Sequence, residues 1–266
     1  MTRGSFVFNG FSSLGAGLRV GGVASYAASG REVQAYYVPG RIGAVYPASD
    51  YSQIPNEIRE YTVGLYRRAD PNEAITNVMA LLRDTFLNVD GYAILTDSYE
   101  PQFYRRAFFA GDFVPTRKGA GQNFEIPLRF SCDPRRYIAG DYDFTIYGSS
   151  GTVTYDTPSQ VGDFYITEPS KPLIKVSTGG DACTILFKDA ETNATFGQLK
   201  LAGLHIDTDF MFDAETLMAW FPDTGDNASM LIEDVIGEIR LGPGSTRISF
   251  DDPLVALKFT PRWWVR

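Results

Sequence analysis

The chain has 266 residues, of which 44% are hydrophobic and 14% aromatic, enough for one large domain or two ordinary ones around a sizeable core. Its 26 glycines and 15 prolines favour strands and turns over helices. Nothing approaches the roughly 18 unbroken apolar residues of a membrane span, and no signal-peptide pattern opens the chain, so the sequence predicts a soluble protein made in a cytoplasm, without membrane insertion. The net charge of −8 is uneven: 15 basic residues face 13 acidic ones up to Gly140, and 9 face 19 beyond it. An acidic second unit is poorly suited to gripping phosphates, which argues against sequence-specific nucleic-acid binding.

The first element is a hairpin. Phe6 and Phe8 alternate as inward residues, Asn9-Gly10 has the chemistry of a tight turn, and Phe11 starts the return. The glycines that follow do not form a phosphate loop: Gly15-Ala-Gly17 places its third glycine, Gly21, one position late for a dinucleotide fingerprint, and no helical pattern follows. Asp70-Pro71-Asn-Glu73 carries an N-cap acid, a proline at the first helical position and a glutamate three residues after the cap. Ile75, Val78, Met79, Leu82 and Phe86 then recur at helical spacing, predicting a helix to about Asn88 that packs on a sheet. After Asp90-Gly91 a strand resumes at Tyr92.

Residues 105–114 and 123–132 read as two long strands around the basic turn "TRKGAGQ", Thr116–Gln122. In the second strand Phe124, Ile126, Leu128 and Phe130 alternate with polar residues and Pro127, and the proline favours an edge position. From Asp141 onward, short alternating runs separated by turn residues predict a β-sandwich. The expected organisation is therefore residues 1–140 and 141–266 as two domains.

Candidate chemistry is thin. Cys132 and Cys183 lie far apart and read as buried small hydrophobes rather than a disulfide or a zinc site. His205-Ile-Asp207-Thr-Asp209 puts polar ligand types at alternate positions of a strand, a pattern that a solvated strand face produces by default. Asp223-Thr-Gly225 matches the aspartic-protease triplet, but no second copy exists, and the surroundings read as a loop. Trp220, Trp263 and Trp264 suggest either a sugar-stacking platform or core and interface packing. The adjacent pair would point to opposite faces of a strand. No catalytic, cofactor or metal constellation is complete, so the expected role is non-enzymatic.

The order of motifs carries more. "FVFNGFSSLGAGLRV" from Phe6, "VPGRIGAVY" from Val38, the capped helix, "DSYEPQFYRRAFFAG" from Asp97 and "FEIPLRFSCDPRRY" from Phe124 resemble the N-terminal domain of siphophage distal tail (Dit) proteins. "EPSKPLIKVSTGGDACTILF" from Glu168, "LHIDTDFMFD" from Leu204, "IGEIRLGPGSTRISF" from Ile236 and "KFTPRWWVR" from Lys258 resemble the family's C-terminal domain. None of these motifs places residues 141–165 within it.

The resemblance implies a mainly β protein: an N-terminal, β-sandwich-like, ring-forming domain with one α-helix, then a C-terminal galectin-like or carbohydrate-module-like sandwich. It further implies a homohexameric ring in the virion, at the distal end of the tail. That ring would join the tail tube protein to the tail-associated (Tal) protein, with receptor-binding protein, tape-measure protein and host-surface glycan as further contacts. Thr116, Arg117, Lys118 and Gln122 are the candidate ring or tube contacts, and Trp220, Trp263 and Trp264 the candidate glycan or partner contacts. The alternatives are a carbohydrate-binding β-sandwich protein or another tube or adaptor component.

Overall fold

The computed structural model describes residues 4–23, 36–37, 44–45, 56–65, 71–89, 91–118, 123–147, 151–178, 180–203, 209–251 and 254–265. The chain divides into two compact units between Ala139 and Gly140.

Unit 1 contains β1 (Phe6–Phe8), β2 (Phe11–Ser12), β3 (Leu18–Val23), β4 (Tyr36–Tyr37), β5 (Ala44–Val45), β6 (Glu57–Leu65), α1 (Pro71–Leu87), β7 (Ala93–Asp97), β8 (Phe103–Phe109), β9 (Thr116–Lys118), β10 (Asn123–Cys132) and β11 (Arg136–Ile138). Its main sheet runs β2-β1-β7-β8-β10-β6-β3, with β9 added to β10 and β11 to β8. The sheet curls until its ends meet: Gly4 bridges Val20, and the Leu18 N–H reaches the Ser13 carbonyl at 2.8 Å. The Tyr99 ring packs over Gly4, so a Cβ there would lie 2.1 Å from its hydroxyl and the ring would have to move.

The opening hairpin forms as its residues dictate. Phe8 pairs with Phe11, and Asn9 and Gly10 both take positive φ (47° and 78°), the primed-turn geometry that matches strand twist. Phe6 and Phe8 are buried while Val7 faces outward. Helix α1 lays Val78, Leu82 and Phe86 on the inner face of the sheet. Phe86 is the hub of that core, with Phe8 and Phe11 each 5.2 Å from its ring centre and Phe109, Phe130, Phe113 and Phe6 all within 6.4 Å. Each such ring contributes about 1.5–3 kcal/mol by leaving water. The N-cap residue Asp70 lies outside the described residues.

One strand expectation needs correction, and another holds only locally. The ladder of β8 stops at Phe109, residues 110–115 leave it, and β9 then pairs with the start of β10, opposite Asn123–Glu125. The edge expectation for Pro127 holds locally: β10 lies between β8 and β6 in the sheet order, but at Pro127 it pairs with β6 alone. The Arg129 carbonyl accepts from the Ala110 N–H on the β8 side of β10. Alternate residues aim the same way, so Pro127 turns its missing N–H toward the stretch where β8 has ended and β9 has not begun. No ladder bond is lost there.

Unit 2 contains β12 (Phe144–Tyr147), β13 (Gly151–Asp156), β14 (Gln160–Val161), β15 (Phe164–Tyr165), β16 (Leu173–Thr178), β17 (Ala182–Asp189), β18 (Thr195–Ala202), β19 (Asp209–Asp213), β20 (Met218–Trp220), β21 (Ile232–Gly237), β22 (Ser245–Phe250), β23 (Leu254–Thr260) and β24 (Trp264–Val265). Two five-stranded sheets, β12-β23-β16-β19-β20 and β13-β22-β17-β18-β21, make the sandwich. Alternation along each strand drives it: Ile174, Val176, Phe210, Phe212, Leu257 and Phe259 of the first sheet and Cys183, Ile185, Phe187, Leu199, Leu201 and Ile248 of the second are buried. Phe187 and Phe259 meet edge to face, 6.3 Å apart, across the two sheets. The chain is thus mainly β with one α-helix among the described residues, and unit 2 is the sandwich its alternating runs predict.

Candidate functional site

Three groups of residues bear on function, and each belongs to one unit. The first is the basic hairpin of unit 1. Thr116 and Arg117 are exposed on β9, and Lys118 pairs with Asn123 across the hairpin. Gln122 lies outside the described residues, so these candidates share one hairpin of which only the strand part is seen.

The second group was not singled out in the sequence. On the outward face of the unit 1 sheet, Val7, Tyr92, Ile94 and Phe108 are all exposed. Tyr92 and Phe108 pack edge to face at 5.4 Å, the Arg106 guanidinium sits 5.7 Å from the Tyr92 ring, and Ile94 pairs with Arg106 in register. Asn56 fixes the rim by donating to the Tyr92 hydroxyl at 2.9 Å and to Ser131 Oγ at 3.0 Å. A cluster of outward aromatic and aliphatic side chains beside an arginine is the composition of a protein interface rather than of a bare surface. Its signal in the sequence is the outward half of two alternations, Tyr92-x-Ile94 and Arg106-x-Phe108.

Behind this face lies a buried ion cluster. The inward residues of β6 run Glu57, Arg59, Tyr61, Val63, so the apolar core gives way to charge at one end of the strand. Arg59 lies 2.7 Å from Glu57 Oε1 through Nε and 2.7 Å from Glu100 Oε2 through Nη2. Arg105 reaches the same Glu100 oxygen at 2.5 Å and Glu57 Oε2 at 3.5 Å, with Arg136 3.8 Å from the other Glu100 oxygen.

Asp97 anchors the turn that carries Glu100, accepting from the Tyr61 hydroxyl (2.6 Å) and from the Tyr99 and Glu100 N–H groups (both 2.9 Å). Burial opposes the charge on Arg105, but Glu57 and Glu100 outweigh it and raise its pKa. Burial, and then Asp97, push the Tyr61 phenol far above its usual range. Burial first and Glu57 second push the Cys132 thiol up to about 12, so it stays protonated and unreactive, the small buried hydrophobe its sequence context suggests. The cluster ties β6, β8 and the turn after β7 together and carries no reacting group.

The third group is the tryptophans of unit 2. Trp220 is half-buried on β20, opposite Met211 and bridged to Asn227. Trp264 is half-buried on β24 and donates from Nε1 to the Pro169 carbonyl at 3.2 Å. Trp263 corrects the expectation: it precedes the strand and is fully buried, so it offers no face to a sugar. The neighbouring Arg262 holds this segment in place, with both guanidinium nitrogens on the Asp213 carboxylate, Nε donating to the Lys171 carbonyl at 2.8 Å, and its own N–H donating to Ser170 Oγ at 2.7 Å.

Other motifs resolve plainly. Asp223 is exposed in a tight turn closed by the Phe221 N–H on the Asp226 carbonyl (2.9 Å) and the Gly225 N–H on the Phe221 carbonyl (2.8 Å). His205 and Asp207 lie outside the described residues, and Asp209 is held by Lys175 at 2.5 Å. Among the described residues no three His, Cys, Asp or Glu side chains gather to hold a metal, and no helix is long and apolar enough to cross a membrane.

A curled aromatic sheet crossed by one helix, followed by a two-sheet sandwich, is the fold of phage hub and baseplate proteins. The Dit protein of phage SPP1, described as a paradigm of the hub adsorption apparatus in phages infecting Gram-positive hosts, matches over 96% of this chain and 97% of its own, with a TM-score of 0.60 and 14% identity. A chain of the phage P2 baseplate in its activated conformation with Ca matches over 98% of both chains (TM-score 0.65, 11% identity). Its counterpart with Sr matches over 98% of this chain and 97% of that one (TM-score 0.62, 10% identity). No family model and no curated protein sequence matches the chain.

Proposed function

We propose that this protein is a non-enzymatic structural component of a phage tail tip, a Dit-type hub carried in the virion at the distal end of the tail. In this reading six copies form a ring through unit 1, the tail tube docks on one side and a tail-associated protein on the other, and unit 2 projects toward partners or the host. The observation that carries it is the extent of the fold match, which runs through both units in one order and covers at least 96% of this chain and 97% of each relative. The outward Tyr92, Ile94 and Phe108 support it from inside the molecule: apolar side chains that a monomer would hide suit a head-to-tail contact between copies. Near-neutral unit 1 crowds around an axis with less self-repulsion than acidic unit 2.

The experiment is localisation. Gold-labelled antibody against this chain should mark the tail end opposite the capsid, and labelling along the tube or absent from particles would contradict the reading.

A second reading, glycan binding by unit 2, rests on a shallow open groove on the outward face of the β13-β22-β17 strands, lined by Thr152, Thr184, Leu186, Lys188, Ser249, Phe250 and Asp251. Apolar surface flanked by hydroxyls and charges suits the mixed faces of a sugar. Glycan-array binding abolished by Lys188→Ala would support this reading, and an array without hits would remove it.

A further inference from the structure

Residues 141–165, which the sequence motifs do not match to the distal-tail family, supply β12 and β13, an edge strand of each sheet of the sandwich. The edge at β13 differs from the others. Sheet edges invite another chain to pair, and proteins blunt them with charge, bulges, shortness or cover. At the opposite edge of the same sheet, β21 carries Glu233 and Asp234 and its register slips at Lys200/Leu201. In the other sheet β20 is three residues long and is covered by Asn227 and Ala228, whose N–H reaches the Ala219 carbonyl at 2.9 Å; β12 has four residues. Strand β13 has six, GTVTYD, in unbroken register with β22 and without proline, lysine or bulge.

The direction of its main-chain groups follows from the ladder. The N–H and C=O of one residue in an antiparallel strand face the same neighbour, and successive residues alternate. The Ser245 carbonyl on β22 accepts from the Ala190 N–H, on the β17 side, so Ser245, Arg247 and Ser249 face β17 while Thr246, Ile248 and Phe250 face β13. Those three pair with Tyr155, Val153 and Gly151. Thr152, Thr154 and Asp156 therefore turn their N–H and C=O groups away from β22, and no main-chain partner meets them among the described residues. Their side chains lie with Ser249, Arg247 and Ser245 on the polar face, where Thr152 Oγ1 and Ser249 Oγ are 3.0 Å apart. On the other side Val153 is 38% exposed, and Tyr155 stacks on Phe144 with ring centres 3.9 Å apart.

We propose that the β13 edge is a docking site for an extended segment of another protein, which joins the sheet as an added strand with apolar residues toward Val153 and Tyr155 and polar, basic residues toward Thr152 and Thr154. A second copy of β13 is a poor occupant, because unit 2 carries 19 acidic against 9 basic residues and would repel itself. The same imbalance favours a basic segment. The inference goes beyond the tail-tip reading and stands or falls apart from it.

The test uses the full-length chain and a synthetic hexapeptide, acetyl-Val-Lys-Val-Lys-Val-Thr, with a scrambled peptide that groups its lysines as the control. In the free chain the Thr152, Thr154 and Asp156 amides should exchange fast and those of Val153 and Tyr155 slowly. Peptide binding should slow the first three at least ~10-fold, the signature of an added strand. Thr154→Pro removes only an outward N–H, so it should weaken binding at least ~10-fold with an unchanged melting temperature. If that variant does not fold, the wild-type exchange pattern decides. Equal binding of the scrambled peptide, no binding, or protection elsewhere overturns the proposal. So does a sedimenting dimer that Thr154→Pro dissolves, since a second copy would then fill the edge.

Discussion

The two units solve the same problem, a β-rich core, with opposite treatments of charge. Unit 1 carries charge inward: Arg59, Arg105 and Glu57 are nearly as buried as its phenylalanines and continue the same strand face. Unit 2 keeps its ion pairs at the surface, with Lys175–Asp209, Lys200–Glu233 and Lys258–Asp143 all on exposed or half-exposed positions. A buried pair adds little net stability over apolar packing, yet it is costly to leave half made. Unit 1 is thereby committed to one arrangement of β6, β8 and the turn at Asp97–Glu100, as the proposed contact between copies would require. Unit 2 tolerates change at its charged positions.

The largest effect separating the units should come from Arg105→Ala, which removes one of the two cations shared by buried Glu57 and Glu100 and leaves both carboxylates on Arg59. A loss of about 3–5 kcal/mol in denaturant unfolding of unit 1 is expected. Lys200→Ala, removing an exposed pair in unit 2, should leave the unfolding midpoint nearly unchanged in the same measurement. Comparable losses at both sites would erase the distinction. Phe86→Ala, which empties the centre of the unit 1 aromatic cluster, should cost about 3–5 kcal/mol by the same assay.

Arg262 and Asp213 are the half-buried exception in unit 2 and sharpen the comparison through pH. Burial opposes ionisation of Asp213, but the Arg262 guanidinium outweighs it and holds the carboxyl below the usual range. A carboxylate lowered by folding stabilises above its unfolded pKa, and that contribution disappears as pH falls through the lower folded value. Thermal melts should therefore show Arg262→Ala least stable near neutral pH and converging on the wild type in acid. A difference that grows in acid would reverse the sign. Gly10→Val should have a smaller effect than the core substitutions, about 1–2 kcal/mol, because it meets no neighbour but must hold a β-branched residue at positive φ. An unchanged unfolding midpoint would contradict the turn.

What the sequence made legible was local. The Asn9-Gly10 turn, the helix from Pro71 and the alternation Phe124 to Phe130 each rest on neighbours within a few residues, and all three stand in the structure. Strand β6 was invisible because its inward positions hold Glu57 and Arg59, whose partners Glu100 and Arg105 are brought near only by the fold. Pro127 signalled a local edge but not its cause: its missing N–H goes unneeded because β8 ends before reaching it, which the strand itself does not reveal. Trp263 looked like half of an alternating pair, but it lies outside the strand that Trp264 begins. The outward Tyr92, Ile94 and Phe108 were present in the alternation, and only their exposure gives them a role.

The central claim is that unit 1 presents a surface for copies of itself. Mass measurement and negative-stain class averages of the purified chain, alone and with tail tube and tail-associated proteins, test it most directly when Phe108→Asp is run beside the wild type. The account predicts six-fold rings for the wild type, formed alone or on meeting those proteins, and folded monomers for Phe108→Asp. A stable dimer, or rings indifferent to Phe108→Asp, would contradict it.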